Sequence, residues 1–290
     1  MRHPNFLPKN TMKRRVLEKV TFLIFFVLFL LPANSWCFEI VASNSPLKKL
    51  VKEVFPGVKV VQILPPARDF HTYEPTFYQW LAIKSADLAV IVGTEPWAKR
   101  VWNLRKGKPT FSLLKKGEVV KDPHLWFDLT RVKKLVLELK DYAIKAFPRN
   151  SKQISKRVTK LLKELDLLQK SFNRLSACKY KRFFLLGHPV FDYLLKDSGV
   201  KEVTLIKGYQ EQEQPGLKSF TKMLQEIKQS GEGIVFITDP QFRDYEDFFK
   251  SRGIKVIILW SGGGFPMKGS YIKLLEYNLR QIKKALRCNF

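Results

Sequence analysis

The sequence predicts an α/β protein of two similar lobes, each a mainly parallel four-stranded sheet flanked by helices, bridged by one long rigid helix. Short runs rich in Val, Ile and Leu alternate with helical patterns, and this alternation occurs twice along the chain. Several runs are almost wholly apolar, as expected of strands buried on both faces of a parallel sheet. A segment without strand signals separates the two series.

The first lobe combines four strand-like runs with helical patterns, one of them at residues 75–84. Its strands are predicted at residues 39–42, 58–64, 87–92 and 109–113. The second lobe repeats the arrangement, with helices at 216–229 and 271–286. Its strands are predicted at residues 182–186, 202–206, 233–237 and 255–259.

The bridge is predicted from one apolar stripe. Pro148 ends a helix that begins near Thr130, and a helix of about 26 residues, roughly 39 Å long, follows it. Apolar residues recur there at steps of four and three, namely Ile154, Val158, Leu161, Leu165, Leu168, Phe172 and Leu175. The same spacing suits a coiled-coil seam, so dimerisation is the alternative. Since the pattern is short, we favour a helix that packs against both lobes of one chain, and a monomer.

The N-terminus reads as a secretory signal. Residues 20–31 form an unbroken apolar run of 12, preceded by basic residues such as Lys13 and Arg14 and followed by small residues. A membrane-spanning helix needs roughly 20 apolar residues, so this run is too short for one. We therefore predict a removed signal peptide at 1–37, a first lobe at 38–149, a linker helix at 150–176, a second lobe at 177–290, and a periplasmic location.

The expected chemical state of the three cysteines depends on the predicted export. Cys37 is preceded by Trp36 rather than by the small residue that a lipoprotein signal requires, so we do not expect a lipid anchor. Cys178 and Cys288 remain in the mature part. Export allows a disulfide between them, although two buried thiols are equally compatible with the sequence.

The composition is strongly basic, but we do not interpret the positive charge as a sign of nucleic-acid binding. The first 37 residues hold six Lys or Arg and one Glu, which accounts for +5 of the formal +26 and leaves about +21. An exported protein does not meet nucleic acid, and no aromatic-basic motif of a nucleic-acid module is present. A solvated Lys-rich surface explains the charge, and attraction to anionic lipid or an acidic permease face is the sharper alternative.

Three histidines are the candidate metal ligands. His71 lies seven residues beyond the second predicted strand, His124 follows the last strand of the first lobe, and His188 follows the first strand of the second lobe. Ligands of open α/β sheets gather beyond the carboxyl ends of the strands. The three side chains are therefore expected to meet between the lobes, where imidazole nitrogens would suit zinc.

The sequences around these histidines resemble motifs of zinc- and manganese-binding receptors of bacterial ABC importers. Residues 69–75 (DFHTYEP) resemble their D-P-H-x-Y-E-P segment, and residues 122–128 (DPHLWFD) resemble D-P-H-x-W-L-D. Residues 187–193 (GHPVFDY) are similar to their third metal-ligand motif. The resemblance runs in order from about Glu39 to the end of the chain.

Three further segments extend the resemblance. Residues 93–97 (GTEPW) are similar to the family's G-x-x-E-x-W stretch, and residues 271–286 are similar to its closing helix, including Tyr271 and Asn278. Residues 213–215 (EQP) stand where an E-P-S helix start is expected.

The resemblance implies a cluster A-I receptor, with metal bound between two lobes and delivered to an ABC permease. In this family a glutamate at the third ligand position accompanies manganese, so His188 favours Zn²⁺ as the transported ion over Mn²⁺. The sequence departs from the family's pattern at Phe70, which replaces a proline, and at Trp260, which replaces the Asp that often serves as fourth ligand. Water, or less favourably Asp239, is expected to fill that position.

Other functions fit parts of this pattern. A manganese or other divalent-metal receptor, or an adhesin, would share the same histidines. A zinc hydrolase could use three histidines and a metal-bound water, with Glu74, Glu95 or Asp239 as general base. We do not expect an enzyme, because the resemblance covers the whole mature chain.

Overall fold

The computed structural model describes residues 38–209 and 215–290. The signal peptide and cleavage site predicted within residues 1–37, including Cys37, lie outside the described residues. Glu213 and Gln214 of the EQP segment also lie outside them. Among the residues described, no helix is long and apolar enough to cross a bilayer.

The first lobe is built on a parallel sheet with strand order β2-β1-β3-β4. The strands are β1 (Glu39–Ala42), β2 (Lys59–Gln62), β3 (Leu88–Ile91) and β4 (Thr110–Ser112). The helices are α1 (Ser45–Val54), α2 (Phe77–Ser85), α3 (Ala98–Leu104) and α4 (Leu129–Ala146). All four residues of β3 are buried, which explains the apolar run in its sequence.

The long helix α5 (Ser151–Asn173) joins the two lobes and continues into a 3-10 turn, Arg174–Ala177. Its predicted apolar stripe is buried within the chain, from Ile154 to Leu175. It packs against α1 and α4 of the first lobe and against two helices of the second lobe. The stripe therefore serves intramolecular packing, as we favoured over a coiled-coil seam.

The second lobe repeats the sheet with strand order β6-β5-β7-β8, again all parallel. The strands are β5 (Arg182–Leu186), β6 (Lys201–Thr204), β7 (Ile234–Ile237) and β8 (Lys255–Ile258). The helices are α6 (Asp192–Leu195), α7 (Leu217–Ser230), α8 (Glu246–Lys250) and α9 (Tyr271–Ala285). The predicted fold class is confirmed, whereas the domain boundaries at 38–149, 150–176 and 177–290 stay predictions.

One buried apolar cluster runs through both lobes and includes the inner face of α5. Two smaller clusters each belong to one lobe. The shared cluster makes the two sheets parts of one packed body. A disulfide also joins Cys178, just before β5, to Cys288, just after α9, across 110 residues of sequence.

Candidate metal centre

Three histidines meet between the lobes. His71 lies in the loop after β2, His124 directly precedes a 3-10 turn at Leu125–Phe127, and His188 lies two residues beyond β5. Each offers a ring nitrogen, and these nitrogens all lie within 4.8 Å of one another. Tetrahedral zinc with bonds of about 2.0–2.1 Å needs nitrogens roughly 3.4 Å apart. Small side-chain movements would close that difference.

The rings form a nearly regular triangle. The centroid of His71 lies 5.2 Å from those of His124 and His188, which are 5.1 Å from each other. Two of the histidines come from the first lobe and the third comes from the second. A single ion can therefore contact both lobes at once.

The His71 loop is held by Asp69. One carboxylate oxygen of Asp69 accepts a hydrogen bond from the His71 backbone N–H at 2.8 Å, and the other accepts one from the Thr72 hydroxyl at 2.7 Å. Phe70 is buried and packs edge-on against the Trp126 ring, with centroids 4.9 Å apart. The departure from the family pattern at Phe70 thus supplies an apolar anchor beside the histidines.

His124 is oriented by Asp122. The same oxygen of Asp122 accepts a hydrogen bond from the His124 backbone at 2.9 Å and from its ring Nδ1 at 2.7 Å. A proton on Nδ1 leaves the lone pair of Nε2 available for an ion. Asp128, which ends the same sequence motif, caps α4 by accepting from the backbones of Thr130 and Arg131. The motif therefore joins a candidate metal ligand to the start of a helix.

His188 follows Gly187, whose φ of +143° favours glycine. A Cβ at Gly187 would also lie 3.3 Å from the Phe242 ring. The His188 Nδ1 lies 3.2 Å from the Pro189 carbonyl oxygen, which can accept a hydrogen bond from an Nδ1–H. Glu202, which is partly buried, holds the next residues, because its carboxyl oxygens accept hydrogen bonds from the backbone N–H groups of Val190 at 3.1 Å and Phe191 at 2.5 Å.

Burial keeps the imidazoles of His71 and His124 neutral. It lowers the pKa of His71 to about 3, with the nearby His124 and His188 acting in the same direction. Burial likewise lowers the pKa of His124 far below its ordinary value, and the charge of His188 lowers it further. Burial raises the pKa of Asp122 to about 7. Because only the neutral ring has a free lone pair, this state is the one that binds metal.

A cavity of about 20 Å³ adjoins the three histidines. This volume holds about one water molecule or one ion. Asp239 and Ser261 of the second lobe share the lining of this cavity with Asp69 of the first lobe. Asp239 also accepts a hydrogen bond from the Thr238 hydroxyl at 2.7 Å.

Trp260, which replaces the family's Asp in the sequence pattern, is not among the residues that line the histidine cavity. Its ring is buried edge-on against Phe127 and Tyr271, with centroids 6.0 and 5.8 Å away. It lines a separate cavity between the lobes, together with Pro65. Asn278 holds its backbone, accepting from its N–H at 2.9 Å and donating to its carbonyl at 2.8 Å. Trp260 is thus a core residue that also fixes the loop after β8.

Hydrogen bonds close to the histidines tie the lobes together. The Tyr193 hydroxyl donates to the Asp122 carbonyl at 3.0 Å, and the Trp126 indole donates to the Ser261 carbonyl at 2.8 Å. A Cβ on Gly262 would lie 2.6 Å from the Pro46 ring, so glycine is needed for this close approach. These contacts join residues far apart in sequence, and no sequence pattern predicted them.

A wider cleft of about 710 Å³ opens beside the site, lined by residues that include His71, Glu118, Lys121 and Tyr209. His124 and His188 are only 2% and 3% exposed, whereas His71 is partly buried. Of the three histidines, His71 is the one that lines both this cleft and the small cavity.

Known proteins share this architecture. The model of the family described as "ZnuA: Zinc-uptake complex component A periplasmic" matches residues 40–285. The chain is 23% identical over 279 residues to the "High-affinity zinc uptake system protein ZnuA" of Bacillus subtilis, covering 86% of this chain and 87% of that protein. It is 22% identical over 279 residues to the "Zinc-binding lipoprotein AdcA" of Streptococcus pneumoniae. That alignment covers 85% of this chain but only 55% of the AdcA sequence.

A solved structure extends the likeness to three dimensions. The laminin-binding protein Lmb of Streptococcus agalactiae, described as having adhesin and metal-transporting activity, superposes with a TM-score of 0.70. The superposition covers 86% of this chain and 99% of Lmb, at 23% sequence identity. At this identity the likeness shows a shared fold.

Proposed function

This chain belongs to the ZnuA family of periplasmic zinc-uptake components, and from that premise we propose that it is an extracytoplasmic receptor for zinc. It captures the ion through His71, His124 and His188 and delivers it to an ABC permease. The observation that carries the proposal is the meeting of three ring nitrogens within 4.8 Å between the lobes. The ion is cargo, held by side chains that can release it.

The ligand chemistry favours zinc over manganese. Neutral imidazole suits zinc, whereas manganese favours carboxylate, carbonyl and water oxygens. His188 occupies the third ligand position, where a glutamate would favour manganese instead. Three nitrogens leave one position of a tetrahedral ion for water or for Asp239, which lines the same cavity.

We propose binding rather than catalysis. The cavity against the histidines holds about one water or one ion, and His124 and His188 are almost fully buried. The wider cleft of about 710 Å³ is lined by His71 but not by His124 or His188, so an ester or peptide in that cleft would meet only one of the three rings. The receptor is further proposed to act as a monomer in the periplasm, without a lipid anchor.

Zinc titration of the chelator-treated protein tests the proposal. We expect one bound ion per chain and a raised melting temperature, because only the folded chain brings these ligands together. Replacing any one histidine by Ala leaves two nitrogens. Mutating residues that hydrogen-bond a metal ligand typically lowers metal affinity by roughly 10–100-fold, and loss of the ligand itself should lower zinc affinity by at least that much.

A control separates ligand loss from a general effect of mutation. Lys121 is exposed and lines the outer cleft without joining the histidine cavity. Lys121→Ala should keep the zinc affinity of the unmodified protein. Unchanged affinity in His188→Ala would remove the second lobe from the site and overturn the proposal.

A further inference from the structure

Helix α2 carries a group of exposed apolar side chains, which we name the α2 patch. It consists of Phe77, Tyr78 and Leu81, which are 71%, 80% and 47% exposed. Spacings of one and four residues place all three on one side of the helix. Such contiguous exposure marks a contact surface more often than scattered single residues do.

The opposite side of α2 already has its packing partners. Ile83 is buried in the apolar cluster of the first lobe, and the Trp80 ring lies 6.1 Å from that of Trp97. The helix begins with a complete capping box formed by Thr76 and Gln79. The α2 patch is therefore presented by a well-anchored helix and is not needed for its packing.

Positive charges border the patch. Lys84 lies one turn beyond Leu81 on the same side of α2, and the Lys108 ammonium donates to the Lys84 carbonyl at 2.8 Å. The Arg100 guanidinium stands over the Trp80 ring at 4.4 Å, and its ion pair with Glu74 is long and exposed. Apolar side chains flanked by Lys and Arg are characteristic of surfaces that lie in the headgroup region of a membrane.

We propose that the α2 patch docks this protein onto an anionic phospholipid surface. Phe77, Tyr78 and Leu81 would enter the headgroup region, while Lys84 and Lys108 meet lipid phosphates. The formal charge of about +21 that remains after removal of residues 1–37 adds long-range attraction to such a surface. The two rings are 71% and 80% exposed and lie beside the ammonium-bearing side chains, a combination that favours an anionic lipid surface as the occupant. Docking does not depend on the zinc site.

Vesicle sedimentation tests the proposal, using exported protein whose N-terminus is verified by mass spectrometry. We expect binding to vesicles of equimolar phosphatidylglycerol and phosphatidylcholine, and none to pure phosphatidylcholine. The triple variant Phe77→Ser, Tyr78→Ser, Leu81→Ser should bind roughly tenfold or more weakly. Lys84→Glu should also weaken binding, and salt should weaken it in the unmodified protein.

The matched control removes exposed apolar side chains elsewhere. Leu137 on α4 and Leu167 on α5 are 45% and 54% exposed, and the double variant Leu137→Ser, Leu167→Ser should bind vesicles like the unmodified protein. Zinc affinity should be unchanged in every variant, which shows that each is folded. Equal vesicle binding by the triple variant, or no binding by the unmodified protein, would overturn the proposal. So would self-association without vesicles that the triple variant abolishes, since the occupant would then be a second copy.

Discussion

His124 shows how a single side chain is prepared for an ion. Asp122 accepts hydrogen bonds from the His124 backbone N–H and from its ring Nδ1. These bonds fix the orientation of the ring and direct Nε2 toward the other two histidines. Removal from water then disfavours the charged ring, as it does for His71. The lone pairs are available before the ion arrives, so binding need not first remove protons from these two rings.

This state is measurable by NMR titration of the imidazole nitrogens in the chelator-treated protein. The pKa of His71 is lowered from the usual value of about 6.5 to about 3, so its ring should stay neutral between about pH 7 and pH 5. His124 should behave in the same way, since the pKa shift has the same direction. A titration of either ring with a midpoint near pH 6.5 would show that burial does not control its charge.

The histidines could be predicted from sequence, but the rest of their surroundings could not. His71, His124 and His188 each lie in a short motif beyond a predicted strand, and strand ends converge in such sheets. Which group can fill the fourth coordination position of the proposed zinc ion depends on how the loops after β7 and β8 pack. The comparison of motifs showed only that Trp260 replaces the family's Asp, which left water or Asp239 as candidates, and the structure places Asp239 in the lining of the cavity. Substituting Trp260 with Asp is therefore expected to damage the core rather than to add a ligand.

At the scale of elements, the same hydrogen-bonding arrangement occurs after strands β3 and β5, where a glutamate binds two consecutive backbone N–H groups. Glu202 accepts backbone hydrogen bonds from Val190 and Phe191 in the loop that carries His188. Glu95 accepts in the same way from Val92 and Gly93 after β3, both at 2.7 Å. Both carboxyls are buried, and burial raises the pKa of each, to about 8 for Glu202. Each side chain thus accepts hydrogen bonds from two consecutive backbone N–H groups that lie beyond the end of a strand.

Replacing Glu202 by Gln should weaken both the second lobe and zinc binding. The amide can accept from only one of the two N–H groups, and a buried group left without its partner costs about 1–3 kcal/mol. We therefore expect a lower free energy of unfolding in urea, and a zinc affinity reduced by less than in His188→Ala. Calorimetric titration and denaturation on the same sample measure both effects.

Glu95→Gln is the matched control for this variant. It makes the same chemical change in a loop that carries no histidine. Its stability should fall by a similar amount while its zinc affinity changes little. If both variants lost zinc affinity equally, the effect of Glu202 would be one of general stability and not of positioning the His188 loop.

The elements themselves were largely predictable, with errors at their ends. Strand β3 lacks polar residues, and the only polar residue of β5 is the exposed Arg182 at its start, so their apolar runs identified them. The helix predicted from residue 75 begins at Phe77, because the Thr76 side chain caps its first turn. Strand β6 lies at an edge of its sheet and is only partly buried, and it ends at Thr204, two residues before the predicted end.

At the scale of the whole molecule, α5 and the loops around the site make one body of two lobes. The shared apolar cluster and the hydrogen bonds donated by Tyr193 and Trp126 cross between the lobes. The disulfide between Cys178 and Cys288 answers a question that the sequence left open. Sequence patterns report periodicity within an element, whereas these contacts depend on how distant elements meet.

The central claim is that both lobes hold the same zinc ion through histidine. A crystal structure of the zinc-loaded protein, with the ion located by its anomalous signal at the zinc edge, tests this most directly. We expect one peak about 2.0–2.1 Å from a ring nitrogen of each of His71, His124 and His188, with one oxygen from water or Asp239 completing a tetrahedron. A zinc peak bonded outside the cleft, or one that leaves His188 without a bond to the ion, would contradict the claim.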